Sequence, residues 1–306
     1  MPDLAKRTLG RTGLEVTALG YGAMELRGAP RGASRGREVT PEQAQTILNA
    51  VLDAGINFID TSIDYGQSEE LIGRYISHRR SEYFLASKCG CLVGPPPPAE
   101  PGQRFAHVFT RENIVNGVNQ SLARMKTDYL DLVQFHASPS KQTLDDEKAI
   151  ETLKDLQREG KIRFLGSSST LPNIRDHVAM GVFDAFQIPY SALQREHEDV
   201  ITDAAKAGAG IVIRGGAARG GPGKEQGNFW DAWQNAGIAD LVGDMDRQEF
   251  ILRFTISHPG LDTTIVGTIS PDHLRDNLAA VAMGPLPADL YAEAKRRLAA
   301  AGLKPS

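Results

Sequence analysis

Cysteine is nearly absent from this chain: its 306 residues include only Cys89 and Cys91. A Cys-x-Cys pair is too close in sequence to staple a fold, and without a second cysteine cluster no zinc or other metal site is expected. The expected state is two reduced thiols in a cytoplasmic protein. A basic excess is missing too. The 34 lysines and arginines face 38 aspartates and glutamates, a net charge of −4, and no long Lys/Arg run occurs. That argues against a nucleic-acid partner. Long hydrophobic runs are also missing: no apolar stretch approaches membrane-spanning length, and the opening MPDLAKRTLG has no apolar signal core. No membrane partner is expected. What is present is an ordinary globular mixture, 41% hydrophobic and 24% charged. Its length suits one large α/β domain or two smaller ones.

Strand and helix patterns alternate along nearly the whole chain. The Gly-punctuated TLGRTGLEV reads as a small hairpin and Leu19–Gly22 as a short first strand, before a helix that opens with Thr40-Pro41-Glu42 and ends at Gly55. The unit then recurs. Asn57–Asp60 precedes Ser68–His78, Tyr83–Lys88 precedes Thr110–Lys126, and Tyr129–His136 precedes Asp145–Glu159. Ile162–Ser167 precedes Leu171–Met180, Ala185–Ile188 precedes Glu198–Ala207, and Gly210–Arg214 precedes Arg247–Ser257. Thr264–Gly267 precedes Pro271–Met283, and Pro287–Ala300 reads as a C-terminal helix. Such alternation predicts a parallel sheet. Eight units in this length predict a (β/α)₈ TIM barrel with an N-terminal β-hairpin, one domain over residues 1–306. A doubly wound sheet is the alternative, but Gly20-Tyr21-Gly22 lacks the third glycine of a dinucleotide fingerprint and a helix directly behind it. The Gly-rich run from Arg214 to Gly221 misses the P-loop, because Gly223-Lys224 is followed by glutamate.

Barrel chemistry gathers at the C-terminal strand ends. Asp60 follows strand two, Lys88 closes strand three and His136 closes strand four, with Tyr65 just past the first of these. Ser167 and Ser168 end strand five, Gln187 strand six and Arg214 strand seven. Taken singly, Asp60 reads as a turn former, Tyr65 as packing, Lys88 as a barrel ion pair and His136 as a satisfied strand-end histidine. Together they form a constellation. An ammonium lowers a phenol's pKa, and a carboxylate beside the ammonium holds it in place. Tyr65 could then protonate an oxygen gaining negative charge, while His136 directs a donor at the same oxygen. This suits carbonyl reduction, with the hydride drawn from a cofactor because no side chain supplies one.

These residues sit in recognisable surroundings. Asn57-Phe58-Ile59-Asp60-Thr61, Tyr65-Gly66, Ser68-Glu69 and Ala86-Ser87-Lys88 resemble the aldo-keto reductase superfamily. So do Thr127-Asp128-Tyr129-Leu130-Asp131-Leu132, Phe135-His136, Gly160-Lys161-Ile162-Arg163, Gly166-Ser167-Ser168 and Ile265-Val266-Gly267. The resemblance implies an NAD(P)H-dependent reductase of a small-molecule carbonyl substrate, with Asp60, Tyr65, Lys88 and His136 as its tetrad. It implies an extended cofactor across the barrel mouth, NADP(H) by family habit with NAD(H) possible. Ser167, Ser168 and Gln187 would hold the nicotinamide carboxamide, with Asp60 beneath, and Gly22, Ala23 and Met24 would line the site after strand one. The loop Arg214, Gly215, Gly216, Ala217, Arg219 and Gly220, with Lys224, would embrace the pyrophosphate. Gly267, Thr268, His273, Asp276 and Asn277 would surround the adenosine end. The chain departs from the family in carrying Ser-Ser after strand five where Ser-Asn is common, and Arg214 where many members have a tyrosine stacked on the nicotinamide. A guanidinium can stack on a flat ring too. Gly267 and His273 stand where some relatives carry a lysine and an arginine, which weakens the case for NADP over NAD.

Two segments remain. Gly90–Val108, with its run Pro95–Pro98, is either a stiff surface loop or a wall of the substrate pocket. Trp230 and Trp233 read as the packing of a small inserted helix. Against the reductase stand a cofactor-sensing subunit with little turnover and a barrel hydrolase or lyase. The latter would need a metal cluster or paired carboxylates at the strand ends, and neither is legible.

Overall fold

The computed structural model describes residues 4–28, 38–94, 107–217 and 228–306, with the side chains of 228 and 229 excepted. A hairpin opens it: β1 (Lys6–Thr8) and β2 (Glu15–Thr17) pair antiparallel, Lys6 opposite Thr17. Then β3 (Leu19–Gly22), β4 (Phe58–Asp60), β5 (Phe84–Cys89), β6 (Leu130–Phe135), β7 (Ile162–Ser168), β8 (Ala185–Pro189), β9 (Gly210–Arg214) and β10 (Thr263–Val266) run parallel. They close into an eight-stranded barrel as β10 pairs with both β9 and β3. Around it lie α1 (Pro41–Asp53), α2 (Ser68–Tyr75), α3 (Arg111–Met125), α4 (Lys141–Asp146), α5 (Ala149–Arg158) and α6 (Asn173–Met180). The later helices are α7 (Glu198–Lys206), α8 (Asn228–Asn235), α9 (Ile238–Val242), α10 (Arg247–Ile256), α11 (Pro271–Ala282) and α12 (Ala288–Ala300).

Local chemistry starts these helices where the sequence predicts. Thr40 and Gln43 form a reciprocal capping box at α1, with Pro41 in the first turn. At α10, Asp246 accepts hydrogen bonds from the amides of Gln248 and Glu249. One predicted helix is two. The span 145–159 breaks between α4 and α5 at Lys148, which adopts a left-handed φ of 49°. Likewise α2 ends at Tyr75, and a 3-10 segment, Ser77–Glu82, leads into β5. Trp230 and Trp233 are buried, and Trp233 meets Phe250 of α10 edge-on, so their role is packing.

Side chains on a strand alternate faces, and this sorts the barrel into two cores. Odd-numbered Leu85, Val133, Leu165, Ile211 and Ile213 face outward into the layer shared with the helices. Phe58, Ala86, Leu132, Ala185, Val212 and Ile265 face inward, and Leu9, Leu14 and Val16 of the hairpin region plug that interior from below. The interior is thus a packed floor. Whatever stands two residues further along each strand stands one layer higher, on that floor.

Candidate active site

Two residues beyond Phe58, Ala86, Leu132, Ala185 and Val212 come Asp60, Lys88, Gln134, Gln187 and Arg214. Five strands therefore raise a polar layer directly above an apolar one. Lys88 Nζ donates to Asp60 Oδ2 at 2.6 Å and to the Thr61 carbonyl at 2.8 Å, and both side chains of the pair are almost wholly buried. The other carboxylate oxygen of Asp60 accepts from Gln134 Nε2 at 2.9 Å and from Gln187 Nε2 at 2.7 Å. Burial pulls the Lys88 ammonium toward neutrality, but the Asp60 carboxylate and the Tyr65 side chain outweigh it and hold its pKa above the ordinary lysine value. An ion pair this dry keeps its charges only because its oxygens and protons are met.

Tyr65 reaches this layer from the loop after β4. Its amide bonds to the Ser62 carbonyl and its own carbonyl accepts from Ser68, the first residue of α2. The Ser68 hydroxyl in turn bonds the Ala23 carbonyl beyond β3. Lys88 Nζ lies 5.0 Å from the Tyr65 ring centroid, over the ring. Burial pushes the phenol's pKa up, while Lys88 and Arg214 pull it down. The net direction is upward, so the hydroxyl holds its proton at neutral pH. His136, one step past β6, meets the Tyr65 ring edge-on at 6.2 Å between centroids. Burial first, and then the positive charge of Lys88, lower the His136 pKa to about 3.

The Nδ1 side of His136 holds Asp64 and His107, which the sequence did not single out, and Cys91, read there only as a reduced thiol. Nδ1 lies 3.3 Å from Cys91 Sγ, 3.4 Å from His107 Nε2 and 3.6 Å from Asp64 Oδ2. Cys91 is buried among them, its thiol pushed up to about 12 by burial and by the Asp64 charge. A neutral imidazole can accept at Nδ1 from the Cys91 thiol or the His107 N–H, and in that tautomer its proton sits on Nε2. Gln134 was missed as well, although the period of two that places Lys88 places it too. Its buried Oε1 has no hydrogen-bond partner among the described residues.

Several expected cofactor residues converge on the same mouth. Ser168 donates to Gln187 Oε1 at 2.9 Å, joining the polar layer. Ser167 faces the other way: its hydroxyl lies 2.8 Å from His177 Nδ1 and 2.7 Å from the Ser169 hydroxyl. The pleat separates the two serines. Gly22, at the end of β3, and Ala23 are buried, and Met24 beside them is an exposed apolar side chain. Arg214 is half-buried at the end of β9, and among the described residues no carboxylate lies within ion-pair distance of it. Gly215 follows with φ of 75°, and Thr255 bonds the Gly216 carbonyl. Ala217 is buried. A Cβ on Gly267 would come within 2.7 Å of the Gly22 carbonyl, so only glycine lets these strand ends approach so closely. Thr268 accepts from the Tyr21 hydroxyl, and Asn277 is buried on α11. His273 and Asp276 of α11 are exposed. Arg219, Gly220 and Lys224 lie outside the described residues, as does most of the Pro95–Pro98 segment's loop.

A parallel (β/α)₈ barrel with a buried Lys–Asp pair, a tyrosine and a histidine at its mouth defines a class of barrel enzyme, and comparison with known proteins gives the family. Residues 18–222 match the aldo/keto reductase family, and the chain belongs to it. It is 27% identical over 296 residues to the uncharacterized oxidoreductase YqkF of Bacillus subtilis, covering 90% of this chain and 91% of that protein. It is 26% identical over 303 residues to L-galactose dehydrogenase of Arabidopsis thaliana, covering 92% and 89%. Aldo-keto reductase AKR11C1 from Bacillus halodurans, in its holo form, superposes with a TM-score of 0.82 at 29% identity, covering 96% of each chain. The protein is therefore an oxidoreductase of this family, whose members generally use NAD(P)H and act on small molecules. Among the described residues no helix is long and apolar enough to cross a membrane.

Proposed function

We propose that this protein reduces aldehydes and ketones to alcohols with NADPH, using Tyr65 as general acid, Lys88 and Asp60 to tune it, and His136 to orient the carbonyl. The observation that carries this reading is the buried Lys88–Asp60 pair at 2.6 Å, with Lys88 Nζ 5.0 Å from the centre of the Tyr65 ring. The residues present fit a nicotinamide dinucleotide. Ser168 and Gln187 offer a hydroxyl and an amide for the carboxamide, and Arg214 offers a partly buried cation with no carboxylate partner among the described residues. Gly215 turns the backbone at the end of β9 with a φ of 75°, and the N-terminus of α11 would offer its amides to the adenosine end. When bound, that cofactor supplies the hydride.

The chain's own residues handle the proton. Tyr65 is protonated at neutral pH and donates to the carbonyl oxygen as negative charge develops there. The phenolate left behind is stabilised by Lys88, whose charge is anchored by Asp60 and, through Asp60, by Gln134 and Gln187. His136, with its proton on Nε2, donates to the same oxygen and fixes the carbonyl's direction. Preference for NADPH over NADH rests on the family's habit alone. The test is oxidation of NADPH and of NADH across a panel of aldehydes, ketones and sugars, with the alcohol product identified. Tight NADPH binding without turnover on any carbonyl would favour the cofactor-sensing alternative.

A further inference from the structure

His136 and the three side chains around its Nδ1 have the make-up of a metal site. Asp64 Oδ2, Cys91 Sγ, His107 Nε2 and His136 Nδ1 all lie within 4.8 Å of one another. Zinc bonds of about 2.0–2.3 Å to O, N and S ligands give a tetrahedron with edges of roughly 3.3–3.6 Å. The three edges that meet at His136 measure 3.3, 3.4 and 3.6 Å. Only the remaining edges need to contract. One carboxylate, one thiolate and two neutral imidazoles balance the two charges of the cation, so the loaded site is neutral, and because Cys91 gives up one proton, loading makes it one charge more positive.

The backbone holds these donors in place. Cys91 and His107 face each other across an isolated antiparallel bridge, and the Val108 amide bonds the Gly90 carbonyl at 2.7 Å. Asn113 of α3 clamps both arms: its Nδ2 donates to the carbonyls of Cys91 and Val108, and its Oδ1 accepts from the Val93 amide. Ser62 donates to Asp64 Oδ1 at 2.5 Å and lies 3.4 Å from Cys91 Sγ. Outer groups that orient ligands in this way are a recurring part of metal sites. Entry is open on one side, since the His136 and Asp64 side chains keep 20% and 27% of their exposure while Cys91 is buried.

We propose that Asp64, Cys91, His107 and His136 bind one divalent metal ion of the zinc class, on the Nδ1 side of the imidazole whose Nε2 meets the carbonyl. Coordination replaces the Cys91 S–H bond with an S–metal bond and releases the proton to solvent. It also occupies Nδ1, which holds the imidazole proton on Nε2. This last consequence rests on the carbonyl-reductase reading; metal binding itself does not.

Cobalt(II) is the probe, titrated into the full-length protein under a non-coordinating phosphine reductant. The expected result is one equivalent bound per chain, with a sulfur-to-cobalt charge-transfer band in the near ultraviolet, intense tetrahedral visible bands, and displacement of both by Zn²⁺. Cys91→Ala should abolish the charge-transfer band, whereas Cys89→Ala, in the apolar layer outside the barrel, should keep it. His107→Ala should weaken binding at least about tenfold, and Ser62→Ala by about 10–100-fold, as loss of an outer-shell partner does. No charge-transfer band in the folded wild type, or a band that survives Cys91→Ala, overturns the site. If Cys91→Ala does not fold, His107→Ala decides, and unchanged affinity there overturns it as well. The readout separates the two proposals. Cobalt bound through Cys91 without reduction of any carbonyl sinks the reductase reading alone, and carbonyl reduction without the band sinks the metal site alone.

Discussion

Gln187 Nε2 lies 2.7 Å from the Asp60 oxygen that Lys88 leaves free, so the residue expected to hold the cofactor also holds the buried Lys88–Asp60 pair. On the proposed function, the nicotinamide pocket and the proton donor would share one hydrogen-bond network. A change at either end should be felt at the other.

Tyr65→Phe removes the proposed proton donor and leaves the ring over Lys88. Turnover should fall by roughly 10²–10⁴-fold, the usual worth of general acid catalysis, with NADPH affinity nearly kept. Wild-type kcat in this variant would show that the donor lies elsewhere.

Lys88→Met leaves the Asp60 charge buried without its cation. Stability should drop by about 3–5 kcal/mol in denaturant unfolding, as for other broken buried pairs. The double change Lys88→Met with Asp60→Asn should recover much of that loss while activity stays absent. A double variant no more stable than Lys88→Met would mean the cost is packing rather than charge.

Gln134→Leu removes one of the two amide donors to Asp60 Oδ1. A buried acceptor deprived of a partner costs about 1–3 kcal/mol. Because Gln187 still donates to the same oxygen, the loss should fall toward the low end, and Gln134→Leu with Gln187→Leu should lose more than the sum of the two. Strict additivity in urea midpoints would refute the shared role.

Arg214→Tyr separates two placements of the guanidinium. Against the nicotinamide ring, the arginine disfavours the cationic oxidised form, so the tyrosine should raise affinity for NADP⁺ more than for NADPH. Against the pyrophosphate, the same change should weaken both forms alike. Dissociation constants for both forms in wild type and variant give the answer, and equal losses rule out the ring contact.

Asp262 gives a pH signature to stability. Burial raises its pKa from 3.8 to about 6, although the Ile211 amide donates to it at 2.8 Å. Between those values the folded state binds more protons than the unfolded one, so this group's contribution to stability falls as pH rises from about 4 to about 6 and is flat above. The ceiling is about 3 kcal/mol at 1.36 kcal/mol per unit, reduced by the residue's partial exposure. Asp262→Asn should flatten that slope in urea unfolding. A slope unchanged in the variant would assign it to other carboxyls.

The alternation of strands and helices was readable from the chain because each element writes its own periodicity, and barrel closure follows once eight such units succeed one another. Asp60, Lys88 and His136 were readable as well, since polar residues that end apolar strands stand out against their neighbours. Other features needed the fold. Whether Ser167 or Ser168 faces the barrel depends on the phase of the pleat in β7, and the hydrogen bonds of Ser168 to Gln187 and Ser167 to His177 decide it. Gln134 sits inside a strand whose apolar neighbours hide it, and only its register beside Lys88 brings it to Asp60. The break at Lys148 between α4 and α5 has no sequence punctuation of the Gly or Pro kind. Cys91 read only as a reduced thiol, and His107 lay unremarked inside the segment Gly90–Val108. Local pattern determines which face a residue takes, whereas convergence of Asp64, Cys91, His107 and His136 requires three loops to meet over one barrel mouth, and distances between loops are set by closure of the sheet beneath them.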